Sequence, residues 1–291
     1  MEYKIKKGNI ELGVLGKGAE LVSLKKDGTE FVWERDPKFW GKSSPVLFPF
    51  VGSIKDGKYK YNGKEYSMET RHGFARDNDF ELVEKGEDFL KFLLKSNEAT
   101  LEKYPFNFEL YLTYKIENEK VDVIYEVVNL DKDEMYFSIG AHPAFATPIS
   151  NEIKLEDYYL ELNEKETASI YQNEEALLIR EKKAYLENES IINLGEHVFD
   201  NDAIIFKGLN SNEVTIKCKK SSRELKVEYD NFPYIAFWSP KDAPFICLEP
   251  WYGISDFVDA TGVLEEKKGI EKIVENGIFN AIITITVENS N

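Results

Sequence analysis

Leu110-Tyr111-Leu112-Thr113-Tyr114-Lys115-Ile116 puts Leu110, Leu112, Tyr114 and Ile116 on one side of an extended chain and Tyr111, Thr113 and Lys115 on the other. A period of two residues is that of a half-buried strand. The alternation returns in Val121-Asp122-Val123-Ile124-Tyr125-Glu126-Val127, and the intervening Glu117-Asn118-Glu119-Lys120 has the length and polarity of a hairpin turn. The two runs are expected to pair antiparallel. Upstream, residues 89–94 repeat the pattern, and Asn62-Gly63, a dipeptide that favours a type I′ turn, joins residues 59–61 to 64–66. Downstream, residues 213–217, 224–229 and 281–287 continue it.

Helical periodicity is scarce. Residues 96–100 and 174–178 are expected to form single helical turns, and no long helix alternates with the strands as a βαβ fold requires. The expectation is an all-β fold, a large antiparallel β-sandwich with few short helices. With no linker, repeat or composition break, residues 1–291 are expected to form one domain.

With 42% apolar and 31% charged residues, the chain has the means to bury a sizeable core. A formal net charge of -16 repels nucleic acid and anionic membrane surfaces, so neither is expected as a partner. The same charge suits a small neutral ligand such as a sugar. Met1-Glu2-Tyr3-Lys4-Ile5 lacks a secretory pattern, and no stretch approaches the roughly 20 apolar residues of a membrane span, so a cytoplasmic protein is expected. Cys218 and Cys247 are then expected to be buried thiols.

Only three histidines occur, and two sit in short apolar turns, Arg71-His72-Gly73-Phe74-Ala75-Arg76 and Gly140-Ala141-His142-Pro143-Ala144-Phe145. Imidazole exchanges protons near neutral pH, and the proline after His142 pushes its backbone toward an extended, fixed direction. Leu248-Glu249-Pro250-Trp251 places a carboxylate at the end of an apolar run, where burial is costly unless a partner satisfies it. The competing reading makes each histidine a hydrogen-bonded core residue and pairs Arg71 and Arg76 with nearby acids such as Glu69, Asp77 or Asp79. His197 lacks such a frame and is expected to be structural. The proline-pinned segment 44–52 reads either as a pocket wall or as a buried edge strand.

Taken in order, Gly18-Ala19-Glu20-Leu21-Val22-Ser23-Leu24, Pro45-Val46-Leu47-Phe48-Pro49, His72-Gly73-Phe74-Ala75-Arg76, Tyr104-Pro105-Phe106, Gly140-Ala141-His142-Pro143, Asp202-Ala203-Ile204-Ile205-Phe206 and Leu248-Glu249-Pro250-Trp251 resemble the aldose 1-epimerase, or galactose mutarotase-like, family, most closely its LacX-like bacterial branch. The resemblance implies a β-sandwich that interconverts the α and β anomers of an aldohexose without a cofactor. It places Glu249 at the general base, His142 at the general acid, His72 at a second sugar-holding histidine, Arg76 beside it, and Asp202 at a position that binds sugar hydroxyls. Trp251, Phe74 and Phe145 either pack on the sugar's C–H face or belong to the core.

Lys42-Ser43-Ser44 stand before Pro45, and Ser53 follows Gly52, where phosphohexose-acting or LacX-like relatives carry arginine. Arg71, Arg76 and Lys55 are the remaining candidates for a 6-phosphate clamp. The alternatives to an aldose mutarotase are a hexose-6-phosphate mutarotase, a non-catalytic sugar-binding protein of the same fold, a zinc hydrolase ligated by His72, His142 and Glu249, and a two-carboxylate glycosidase. No metal and no cofactor are expected for the leading reading, and the molecule is expected to be a monomer or a homodimer.

Overall fold

The computed structural model describes residues 1–150 and 152–289. Phe108–Glu117 and Lys120–Asn129 form the expected hairpin, pairing Leu112 with Tyr125 and Tyr114 with Val123. Leu110, Leu112, Tyr114 and Ile116 are all buried, so the period-two reading identifies the core face. Lys58–Tyr61 and Lys64–Ser67 turn at Asn62 and Gly63, whose φ values of 47° and 73° fit a type I′ turn. The one described α-helix, Glu98–Leu101, is a single turn capped by Asn97.

Residues 174–178 differ from expectation. Glu175 and Ala176 have φ values of 49° and 68° and make the turn between two 17-residue strands, Tyr158–Glu174 and Leu177–Asn193. Pairing along these long strands overrides the helix preference of Glu, Ala and Leu.

One antiparallel sheet contains 15 strands, accompanied by a four-stranded sheet over Glu2–Glu30 and two two-stranded ribbons. Val46–Leu47 begins the strand order of the large sheet and Phe108–Glu117 lies near its other end. Yet Phe48 packs on Phe108 with ring centroids 4.9 Å apart. The sheet therefore closes over itself as a sandwich, with an aromatic core of Phe48, Phe74, Tyr104, Phe108 and Phe137 between the layers.

The strand Phe245–Tyr252 is central to the site. Tyr234–Trp238 pairs along one side of it. On the other side the partner is broken: Ile139–Ala141 pairs with its end and Ala144–Ala146 with its start. Between them the register sets His142 opposite Glu249, Pro143 opposite Leu248 and Ala141 opposite Pro250. Two prolines, each without an N–H to give a ladder, stand where the pairing lapses.

Candidate functional site

Alternation along Phe245–Tyr252 sends Ile246 and Leu248 into the main core and Cys247, Glu249 and Trp251 to the opposite face. There a cavity of about 220 Å³ is lined by Glu249, His142, His72, Arg71, Arg76, Asp202 and Trp251, joined by Trp40, Trp238 and Ala203. Seven of the residues singled out in the sequence thus share one cavity.

His142 Nε2 lies 3.3 Å from Glu249 Oε2. The pair is at ion-pair distance without a hydrogen bond, since Glu249 Oε2 has no hydrogen-bond partner, and His142 Nδ1, on the other side of the ring, is likewise buried without one. Trp251 Nε1 is a third such atom. Buried polar groups left unsatisfied are uncommon, and these three, with Arg71 Nε and Arg76 Nε, make five around one cavity, which marks a place for a polar ligand. Burial raises the Glu249 pKa well above the usual carboxylate range, against the pull of Arg71. Burial also lowers that of His142, with Arg76 adding to the effect. Both shifts favour the uncharged forms.

His72 is held by a two-way clasp. Its backbone N–H donates to Gly52 O at 2.8 Å, and the Gly52 N–H donates to His72 Nδ1 at 3.1 Å. Since Nδ1 accepts, the ring proton resides on Nε2, and burial followed by His142, Arg71 and Arg76 keeps His72 neutral. The clasp needs a left-handed backbone at three residues, His72 (φ 69°), Gly73 (φ 70°) and Gly52 (φ 72°). A Cβ on Gly73 would meet Phe48 O at 2.3 Å, and one on Gly52 would meet Ser255 Oγ at 1.9 Å. Segment 44–52 is therefore a buried wall that carries His72, and only Val46–Leu47 of it is strand.

Arg71 does not pair with the nearby acids. Its Nη2 donates to Asp202 Oδ2 at 3.0 Å, while Asp202 Oδ1 accepts the Ala203 N–H at 2.9 Å. Asp202 sits in the left-handed region at φ 71°, a second strained residue at the cavity. Arg76 donates from Nη2 to Arg71 O at 2.8 Å and approaches Asp77 at 3.8 Å.

Two aromatic walls escaped the sequence reading. Trp40 stacks on His142 with centroids 4.8 Å apart, and Trp238 meets the same ring edge-on at 5.9 Å. The available signal was a tryptophan at the end of an apolar run, Tyr234–Trp238, and another in the aromatic pair Phe39-Trp40. Phe74 and Phe145 belong to the core instead. Lys55 lines a different cavity and donates to Ala260 O, so it is no part of a clamp here. His197 is on the surface, 2.8 Å from Asp200. Among the described residues, the donors grouped closely enough for one cation are His142, Cys247 and Glu249. His72, from the zinc set considered above, is not among them.

A pocket lined by two imidazoles and a buried carboxylate on the face of an all-β sandwich fits the mutarotase-like sugar epimerases, and comparison with known proteins agrees. The sequence model of the aldose 1-epimerase family matches residues 1–271, and the chain belongs to that family, a family of isomerases. It is 36% identical over 282 residues to protein LacX of Lactococcus lactis, covering 94% of each chain. The structure of a galactose mutarotase related enzyme from Lactobacillus acidophilus superposes with a TM-score of 0.95 at 33% identity, covering 100% of this chain and 98% of the other. A galactose mutarotase-like protein from Lactobacillus casei gives 0.91 at 27%, covering 99% and 100%.

Proposed function

We propose that the protein interconverts the α and β anomers of an aldohexose by acid-base opening and reclosure of the pyranose ring. The observation that carries this reading is the 3.3 Å approach of His142 Nε2 to Glu249 Oε2 on the wall of the cavity. Ring opening removes a proton from the anomeric hydroxyl and delivers one to the ring oxygen, two oxygens on a single carbon. A base and an acid in van der Waals contact fit that demand.

Glu249 acts as the base and His142 as the acid. The charged arrangement, carboxylate with imidazolium, and the neutral one, carboxylic acid with imidazole, carry the same number of protons. Opening the ring converts the first into the second, and closing it after rotation about the C1–C2 bond converts the second back. The cycle exchanges no proton with solvent and uses no covalent intermediate. Burial favours the neutral pair, which is the one that accompanies the open chain. The His72 Nε2–H donates to a sugar oxygen, Asp202 steadied by Arg71 accepts sugar hydroxyls, and Trp251, Trp238 and Trp40 offer apolar faces.

One observation favours a phosphorylated sugar as a second reading: Arg71 Nε and Arg76 Nε are buried and without hydrogen-bond partners. Rates of anomer exchange for glucose, galactose and their 6-phosphates, followed by NMR of freshly dissolved α anomers, test both. Faster exchange of the free hexoses supports the leading reading. Exchange confined to the 6-phosphates supports the second, and no acceleration of any of the four overturns both. The absence, among the described residues, of a helix long and apolar enough to cross a membrane fits the cytoplasmic location we propose.

A further inference from the structure

The buried thiol of Cys247 has no part in the proton transfers above. It lies two residues before Glu249 on the same strand, hence on the same face, and pairs in register with Ala144, two residues after His142. The interrupted pairing at His142-Pro143 thus delivers a sulfur, an imidazole nitrogen and a carboxylate oxygen to one place, with all three ligand atoms within 4.8 Å of one another.

We propose that Cys247, His142 and Glu249 form a binding site for a soft divalent cation of the zinc class, which enters through the sugar cavity and excludes the sugar. The blocking consequence rests on the function proposed above; the binding itself does not.

Three features support the site. A tetrahedral zinc with nitrogen and oxygen ligands at about 2.0–2.2 Å holds them roughly 3.3 Å apart. His142 Nε2 and Glu249 Oε2 already stand 3.3 Å apart. The sulfur, within 4.8 Å of the other two ligand atoms, closes in by up to about 1.3 Å to reach the ~2.3 Å of a zinc–thiolate bond. Second, Glu249 Oε2 is buried without a hydrogen-bond partner, so coordination breaks no existing bond. Third, the charges match. Thiolate, carboxylate and neutral imidazole sum to two negative charges, which one divalent ion cancels, and a buried cluster of zero net charge avoids the desolvation that an unpaired ion suffers. On binding, the ion takes the place of the thiol proton and of any proton held by the Glu249 carboxyl. Arg71 and Arg76 also line the cavity and repel cations, which selects for ions that bond strongly to thiolate over magnesium or calcium.

The test titrates the full chain with zinc chloride by calorimetry and with cadmium chloride while following the ultraviolet cadmium–thiolate charge-transfer band. We expect one ion per chain, growth of the band, and competition between the metal and excess hexose. Cys247→Ala and Cys247→Ser should each abolish the band and weaken binding at least ~100-fold, more than the loss of an outer-shell partner costs. Both should retain the parent rate of anomer exchange and lose its sensitivity to zinc. His197→Ala, which removes the exposed imidazole beside Asp200, should leave binding unchanged. A missing band, zinc binding unaltered in both Cys247 variants, or binding lost with His197 instead would overturn the proposal. If the parent enzyme proves unable to speed anomer exchange, the function fails while stoichiometry and band still decide the metal site.

Discussion

The backbone N–H of Gly52 donates to Nδ1 of His72, and this single bond decides which imidazole nitrogen faces the ligand with a proton. Because the donor is an amide that cannot ionise, the tautomer does not depend on pH while His72 stays neutral. Burial, then the nearby His142 and two arginines, lowers the His72 pKa well below its ordinary value. We expect nitrogen-15 NMR to show His72 protonated on Nε2 alone from about pH 8 down to pH 5, the range in which an ordinary histidine gains its second proton. A titration of His72 near pH 6.5 would contradict the clasp.

The His142–Glu249 pair sets the pH profile. A histidine whose pKa is lowered takes its second proton only below the ordinary imidazole range, and a carboxyl whose pKa is raised keeps its proton above the ordinary carboxylate range. The pair therefore keeps a single proton across the intervening span. We expect kcat/KM for anomer exchange to show no acid inflection near pH 6.5 and to fall only at lower pH, as the pair gains a second proton. An acid limb centred on the ordinary histidine value would show that His142 is solvated.

Trp40 supports the acid by stacking on it at 4.8 Å. We expect Trp40→Ala to lower kcat/KM by about 2- to 10-fold, the worth of one aromatic contact, and Trp40→Phe to recover most of the loss. Equal rates in the alanine variant and the parent would mean that the stack does not orient His142.

Away from the cavity, Lys267 Nζ is buried against Asp256 Oδ1 at 2.8 Å and donates to Ile254 O at 2.7 Å. Asp256 also accepts the Lys55 N–H, and its own N–H donates to Ser53 O, so the pair ties the loop after the central strand to the segment that carries Gly52. Removing one partner leaves a buried charge unpaired. We expect Asp256→Ala to cost about 3–5 kcal/mol in urea unfolding, and Asp256→Leu with Lys267→Met to recover much of it. A loss below about 1 kcal/mol, the range of exposed pairs, would contradict burial of the pair.

Strand alternation and the Asn62-Gly63 turn made the sheet legible, because each is written in neighbouring residues. The turn at Glu175-Ala176 was not legible, since neither residue announces a positive φ and the pairing that forces it runs the length of two strands. The site divides in the same way. His72, His142 and Glu249 stood out because a titratable group beside glycine or proline is a local signal. Trp40 and Trp238 come together only when the sheet closes, and the Arg71–Asp202 pair spans 131 positions of the chain, so local spacing pointed to the wrong acids. Lys55, three residues after Gly52 in the chain, faces another cavity.

The most direct measurement is polarimetry of freshly dissolved α-glucose or α-galactose with the parent enzyme, Glu249→Gln, His142→Asn and the double variant. The parent should speed equilibration, each single variant should lose about 10²- to 10⁴-fold, and the double variant should be little worse than either, because one shared proton makes the two residues a unit. An active parent whose rate survives either substitution would contradict acid-base ring opening by this pair.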